Sequence, residues 1–550
     1  MRATRYARSL LPSWADYRSA RRTWRADLIA GATVGIVALP LALAFGVSSG
    51  AGAESGIVTA IVAGIIAAVF GGSNIQVSGP TGAMVVVLGP IVAIHGPGVV
   101  AVVSLMAGVV VLVGGILKLG RVVSYIPWPV IEGFTLGIAV IIFLQQVPAA
   151  FGTKPGSNSN TAVAEIESFA AIDWTLVVWP MAAVVVVVLV MVLAPRIHPR
   201  LPGSIIAIIV VSVVANVANL PLARIGALPG SLPAPSVPLF DPSVLGSLVG
   251  PALTVAALAA IESLLSARVA ASLSDTGPYD ADRELVGQGL ASIASGFFGG
   301  MPATGAIART AVNVRSGGRS RIAAIVHAVV LIGVVYLATG IVSEVPLAAL
   351  AGVLMVTAIR MISVATVRSV LGSTRSDTVV FIITALITVS FDLIVAVGIG
   401  IAVAAFFALR TLSQSGSVHR EELPGIAVAG DEHIALFRLD GALFFGAADR
   451  MLARVSQISE VSVVIIRMSQ LQVLDATGAR VITEMISRLE RRGVTVLVKG
   501  IQPRHMRLAT AVGVMSSLRH QNHLFGDLDA AINHARSHVQ RRPQPLPRSR

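Results

Sequence analysis

Residues 70–84 (FGGSNIQVSGPTGAM) and 298–307 (FGGMPATGAI) carry one signature twice. In each copy an apolar stretch ends in Phe-Gly-Gly, a proline follows, and Thr-Gly-Ala opens a short apolar segment, at Thr81-Gly82-Ala83 and at Thr304-Gly305-Ala306. A bilayer span needs about 20 mostly apolar residues. Working outward from the two copies, fourteen apolar segments lie between residues 27 and 411, and each signature heads the third segment of its group of seven. Seven is odd, so the second group runs inverted in the membrane. The expected fold is a polytopic α-helical membrane protein of 7+7 inverted-repeat form, with repeats at about 27–220 and 246–411 and two short half-helices at 78–95 and 303–315. Interrupted helices at matching positions of inverted repeats point to a transporter's midplane binding site.

The bulk numbers agree with lipid as the solvent. Of 550 residues 55% are hydrophobic and 13% charged, with mean hydropathy +0.83, against about 25% charged in an average soluble domain. The net charge of +13 would suggest nucleic acid in a soluble chain, but the arginines collect at the termini and in short connections between apolar runs, as membrane topology requires. Lys118, Arg121, Arg196, Arg200, Arg283, Arg315, Arg319, Arg321, Arg360, Arg368 and Arg375 all follow even-numbered segments. That pattern places both termini in the cytosol. The longer connections, 149–174 and 221–245, hold only Lys154 and Arg224 and fall outside. Residues 1–26 read as a retained cytosolic segment, because no short apolar region with a small-residue cleavage site follows their arginines.

After Arg410 the texture becomes that of a soluble domain. Residues 433–439, 461–466 and 494–498 read as strands, and 479–489 and 528–539 as amphipathic helices, giving a small α/β domain over 425–540. The tail 541–550 lacks core-forming residues and is expected to be disordered. Cysteine is absent, which excludes disulfides, thiolate metal sites and a cysteine nucleophile. No P-loop, catalytic triad or metal-ligand spacing stands out, the histidines included. The chain reads as a non-enzyme without resident metal or cofactor, so an ion gradient would drive uphill transport.

Two half-helices beginning near Thr81 and Gly305 would aim their N-termini at one point. Each end carries roughly +0.5 of an elementary charge and free N–H groups, which suits an anion. Gly79, Gly82 and Gly305 allow close approach to the backbone, while Thr81 and Thr304 could cap N–H groups or donate to substrate. Pro80 and Pro302 suit helix starts. Glycine, proline and threonine also serve helix packing in membranes; recurrence at equivalent positions favours a site. Glu262 is the acidic side chain deep in the eighth segment, where a carboxylate is costly and functional by default. It could bind a coupling cation, take up a proton, or pair with Arg268 or Arg309. Ser266, four residues on, shares its face and could share a ligand. Arg309 either complements an anion or snorkels toward the interface. Phe45 could wall the site or serve the core.

These stretches resemble the sulfate permease (SulP) family, relatives of the vertebrate solute-carrier anion exchangers and prestin: VALPLALAFG, VSGPTGAMVVV, AIESLLSA, FFGGMPATGAIARTAVNVRSGGRS and, in the soluble part, LDGALFFGAAD with VLDATGARVI, which look like a STAS domain. The resemblance implies core and gate domains, elevator-like movement and a homodimer with STAS domains beneath the membrane. It would place the substrate site on Phe45, Thr81, Gly82, Ala83, Gly305, Ala306 and Arg309, and ion coupling on Glu262 and Ser266. In a bicarbonate-transporting member these last two positions are an aspartate that helps bind sodium and a threonine. Glu262 and Ser266 depart from that pattern, as does Ile307, which stands at the position after Gly-Ala that bears a hydroxyl there, weakening a sodium site and favouring H+ over Na+. In STAS proteins that bind anti-sigma factors a phosphorylatable serine follows the loop aspartate; here Asp475 is followed by Ala476, leaving Thr477 as a weaker regulatory position.

The reading is therefore proton-coupled uptake of a small anion (sulfate, bicarbonate or a dicarboxylate) across a bacterial inner membrane, with a cytosolic regulator at the STAS domain as a further partner and no nucleic acid. The rivals are a sodium-coupled bicarbonate symporter, a nucleobase:cation symporter, and a passive channel, exchanger or sensor.

Overall fold

The structure is a computed structural model that describes residues 6, 8–121, 126–153, 167–168, 170, 172, 174, 177–198, 201–228, 230–238, 242–390, 393–415, 417–443 and 461–541. Residues of the sequence reading that lie outside them include Lys154, Arg200, most of the connection 149–174, the FFGAAD stretch and the tail from 542. Two compact units emerge, Met1–Ala404 and Ala405–Arg550.

Among the described residues up to Ser415, a helix stands at each of the fourteen expected segments. The first seven are α1 (Ala20–Ser48), α2 (Ala53–Phe70), α3 (Gly82–His95), α4 (Val99–Ile116), α5 (Trp128–Leu144), α6 (Val178–Ile197) and α7 (Gly203–Val217). The second seven are α8 (Pro242–Leu273), α9 (Ala281–Phe297), α10 (Ile307–Arg315), α11 (Arg321–Leu337), α12 (Leu347–Met361), α13 (Arg375–Ser390) and α14 (Leu393–Ser415). Seven described helices are long and apolar enough to cross a bilayer by length and composition, whereas α3, α7 and α11 are shorter. The sequence reading missed two strands inside the apolar region, β1 (Ser78–Gly79) and β2 (Thr304–Gly305).

Packing repeats with the sequence. α1 packs on α11 as α8 packs on α4, α2 packs on α11 as α9 packs on α4, and α5 packs on α13 as α12 packs on α6. Exchanging the halves maps each contact onto its mate, the signature of an inverted repeat. Two bundles result: α1, α2, α4, α8, α9 and α11 in one, α5, α6, α7, α12 and α13 in the other. Small residues let the first bundle close. A methyl added at Gly289 of α9 would come within 2.5 Å of the Leu112 nitrogen of α4, and one at Gly108 within 2.8 Å of the Gly289 carbonyl, so the two backbones nearly touch.

Contacts between connections follow the alternation counted from the arginines. Asp16 accepts two hydrogen bonds from Arg283 (3.1 and 2.7 Å), and Asp27 accepts the N–H groups of Arg319 and Ser320 (2.7 and 3.0 Å). On the other set of connections, Arg224 pairs with Glu344, and Ile225 and Leu347 extend the contact through Val345 and Ala223 (3.0 and 2.8 Å).

The second unit is a sheet of order β3-β4-β5-β7-β8, with β6 also pairing β4. Its strands are β3 (Ser417–Glu421), β4 (Ile434–Leu443), β5 (Val463–Arg467), β6 (Leu471–Leu474), β7 (Thr495–Lys499) and β8 (Leu524–Phe525), parallel except for β3 against β4. Alternating side chains of the buried strands feed two faces. Val464, Ile466, Val496 and Val498 meet α15 (Ala476–Arg491) and α16 (Pro503–Val512), while Ile434, Val463, Ile465 and Leu497 meet α17 (Leu528–Gln540). β3, β6, β8 and α16 were not legible as elements because they are short or carry too few apolar residues to set a period.

Candidate functional site

The two Thr-Gly-Ala copies meet at an antiparallel ladder, Ser78 opposite Gly305 and Gly79 opposite Thr304, extended by the Ala306 N–H to the Val77 carbonyl at 2.9 Å. Antiparallel pairing sends the helices that follow in opposite directions. Thr81 precedes α3 and Ala306 precedes α10, and neither side chain caps its helix. The expectation that Thr81 and Thr304 cap N–H groups is thus corrected. Thr81 donates its hydroxyl to Glu262 Oε2 at 2.9 Å, and Thr304 donates to the Ala259 carbonyl at 3.1 Å. Both hydroxyl protons go to acceptors on α8, and with no side-chain cap on either helix the N–H groups of the first turns of α3 and α10, which have no intrahelical acceptor, remain open to a ligand.

Arg309, in the first turn of α10, is buried (2% exposed). Its Nη2 donates to the Pro80 carbonyl, just ahead of α3, and its Nη1 is buried without a hydrogen-bond partner. Snorkelling is therefore overturned: the guanidinium turns inward, across the ladder. Glu262 on α8 is half-buried and acts on Arg309 through space, yet the two form no ion pair within 4 Å among the described residues. A cation with a free N–H and a carboxylate thus face the same pair of helix ends without cancelling each other.

Phe45, Thr81, Gly82, Ala83, Gly305 and Ala306 are all buried here. The Phe45 ring lies 3.3 Å from the point where a Gly82 side chain would begin, with the Ile142 side chain closer still. Ser266 is buried, but its hydroxyl bonds Thr310 at 3.3 Å rather than Glu262. The hydroxyl that joins the ladder is Ser263, beside Glu262: it contacts Thr304 Oγ1 at 2.8 Å and accepts the Gly305 N–H at 3.0 Å. Since Thr304 spends its proton on Ala259, the Ser263 hydroxyl supplies the proton of their mutual bond.

The sequence reading missed the shell behind this centre. Glu284 accepts the N–H groups of Gly72 and Ser73 (2.8 and 3.1 Å) and the Gln288 amide (2.9 Å), and Gln288 also donates to Ser78 at 2.6 Å. Arg321, read as topogenic, is buried and donates to the carbonyls of Ala68 and Gly71 (3.0 and 2.7 Å). Arg283, read the same way, is buried against Asp16 and the Phe70 carbonyl. Both clamp the Phe-Gly-Gly end of α2. A charge at the edge of an apolar run was the available signal, but hydropathy alone assigns such charges to loops.

In the second unit Asp475 caps α15, accepting the Gly478 N–H at 2.7 Å, and Thr477 is exposed beside it. Any regulatory use of Asp475 would compete with this structural bond. The reading that the histidines lack ligand spacing is corrected as well: His523, His534 and His538 converge, and the i, i+4 spacing of the last two was present in the sequence.

The sequence profile described as the sulfate permease family matches residues 24–384, and that of the STAS domain matches 425–531. YvdB of Bacillus subtilis (strain 168) is 33% identical over 512 residues, covering 92% of this chain and 96% of that protein. The solved transmembrane domain of the cyanobacterial bicarbonate transporter BicA is 28% identical with TM-score 0.62, over 70% of this chain and 98% of that one. The murine Slc26a9 anion transporter, solved in an inward-facing state, shares the fold with TM-score 0.79 at 18% identity, over 93% of this chain and 91% of that one. The chain is a multi-pass member of the sulfate permease family with a C-terminal STAS domain.

Proposed function

We propose that the protein is a secondary active transporter that takes up a small oxyanion or carboxylate together with a proton. The observation that carries this reading is Arg309: a buried guanidinium with an unpartnered Nη1, set between the starts of two half-helices from opposite repeats. A buried cationic donor without an acceptor is costly, and an anion at the helix ends would satisfy it along with the free N–H groups of α3 and α10. BicA is named for bicarbonate and YvdB for sulfate; both anions, and a dicarboxylate, fit this chemistry.

Glu262 supplies the coupling. While charged it opposes an anion arriving beside Arg309; protonated, it removes that repulsion and leaves Arg309 free to pair with substrate. Linkage then makes proton and anion bind with mutual assistance. With Ser266 engaged by Thr310, a sodium ion would lack the hydroxyl that the family's sodium-binding pattern places there. Movement would carry the bundle of α1, α2, α4 and α8–α11, with α3, against the other as an elevator. The protein would work as a homodimer in a bacterial inner membrane, with cytosolic termini and a STAS domain open to a regulator.

The test is uptake of radiolabelled sulfate, bicarbonate and fumarate into proteoliposomes under imposed proton or sodium gradients. We expect proton-driven accumulation of one of them, abolished by Glu262→Gln while substrate binding persists. Sodium-driven accumulation, or flux that never exceeds equilibrium and ignores Glu262→Gln, would sink the proton-coupled reading.

A further inference from the structure

The C-terminal domain gathers imidazoles from two places in the chain. His523 ends a one-turn helix, Gln521–His523, just before β8, and is buried (1% exposed). His534 and His538 stand at i and i+4 on α17, one above the other on a single face. Their Nε2 atoms are 3.2 Å apart, and the His523 ring lies 5.6 and 5.5 Å from theirs, centroid to centroid. One ligand nitrogen from each of the three lies within 4.8 Å of the others.

A hydrogen bond between the two α17 rings can account for their approach, but not for the third ring. The Nδ1 of His523 is buried with no hydrogen-bond partner, while the Val496 backbone engages the ring. That is the division of labour a metal-bound histidine shows, one nitrogen on the metal and the other on a carbonyl. The spacing agrees: two nitrogens held at 2.0–2.1 Å from one tetrahedral zinc lie roughly 3.3 Å apart, so His534 and His538 are already at ligand distance.

We propose that His523, His534 and His538 form a three-imidazole site for a divalent transition-metal ion, with zinc the best fit. Imidazole nitrogens select zinc, nickel and copper over calcium or magnesium. Three ligands leave a fourth position for water or for His520, whose ring is 5.3 Å from that of His523. An ion there ties α17, which covers one face of the sheet, to the segment entering the edge strand β8. The site lies within the C-terminal unit and depends on no assumption about the transported substrate.

The experiment uses the full-length protein in detergent with any purification tag removed. Bound metal per chain is measured after equilibration with Zn2+, and Co2+ serves as a probe through its visible absorption. One ion per chain is expected, with the intense band of tetrahedral cobalt. His538→Ala and His534→Asn should each weaken binding by about 100-fold or more, since loss of mere outer-shell partners already costs 10–100-fold. His419→Ala, on exposed β3, is the control and should bind as the wild type does. Metal-free melting temperatures of the variants, equal to that of the wild type, separate lost ligation from lost folding. No stoichiometric binding in the wild type, or undiminished binding in both α17 variants, would overturn the site.

Discussion

Thr81, the residue that heads the half-helix α3, gives its hydroxyl proton to Glu262 on α8 at 2.9 Å instead of capping its own helix. One bond therefore couples the start of a helix from the first repeat to the carboxylate of the second. Disturbing either partner exposes the other, and the first prediction follows from that dependence.

Thr81→Val keeps the shape and removes the donor. A hydrogen bond to a charged group contributes about 1.5–3 kcal/mol, so uptake should fall by at least tenfold, with its pH dependence displaced. Thr81→Ser should restore most of it. Proteoliposome flux measured across pH checks both variants; wild-type flux in Thr81→Val would separate the bond from transport.

Arg309→Lys preserves charge but not the fork. The guanidinium spans the Pro80 carbonyl with one nitrogen while presenting another, and an ammonium on a flexible stem cannot hold both positions. Anion affinity should drop about tenfold or more, corresponding to ~1.4 kcal/mol, with little change in melting temperature. Equilibrium binding of the transported anion is the measurement.

Gly289→Ala tests how the repeats interlock. The added methyl would press on the Leu112 backbone of α4, which cannot retreat as a side-chain tip can. Overpacking of this kind costs about 1–3 kcal/mol. The full-length variant in detergent should melt several degrees lower, and a neutral result would show that α4 and α9 separate freely.

Asp431 in the STAS domain carries a pH signature. Its hydrogen bond from Arg536 (2.8 Å), set against the opposing effect of burial, holds its carboxyl below the usual carboxylate range. The folded-state value is depressed, so the stabilisation is present above the unfolded pKa of about 3.9 and is lost as pH falls through the folded one. Asp431→Asn should cost about 0.2–1 kcal/mol at pH 7. The gap in melting temperature between wild type and variant should close below about pH 4. A gap that persists there would point away from ionisation.

By itself the sequence determined the number and order of the apolar helices, the inverted duplication and the residues that assemble at its centre. Hydropathy and the doubled Phe-Gly-Gly, proline, Thr-Gly-Ala signature are local properties, and a bilayer converts them almost directly into spans. Phe45, Thr81, Gly82, Gly305 and Arg309 could be named because each sits in that signature or on a matching stretch. Only the tertiary structure decided which polar atoms meet. It sent Thr81 to Glu262, replaced Ser266 by Ser263 at the ladder, buried Arg283 and Arg321, and turned Arg309 inward. It also brought His523 to His534 and His538. In a low-dielectric interior an unpaired polar group is costly, so donors turn to the acceptors that the packing of distant segments offers, and that pairing is a property of the assembled fold that no window along the chain contains.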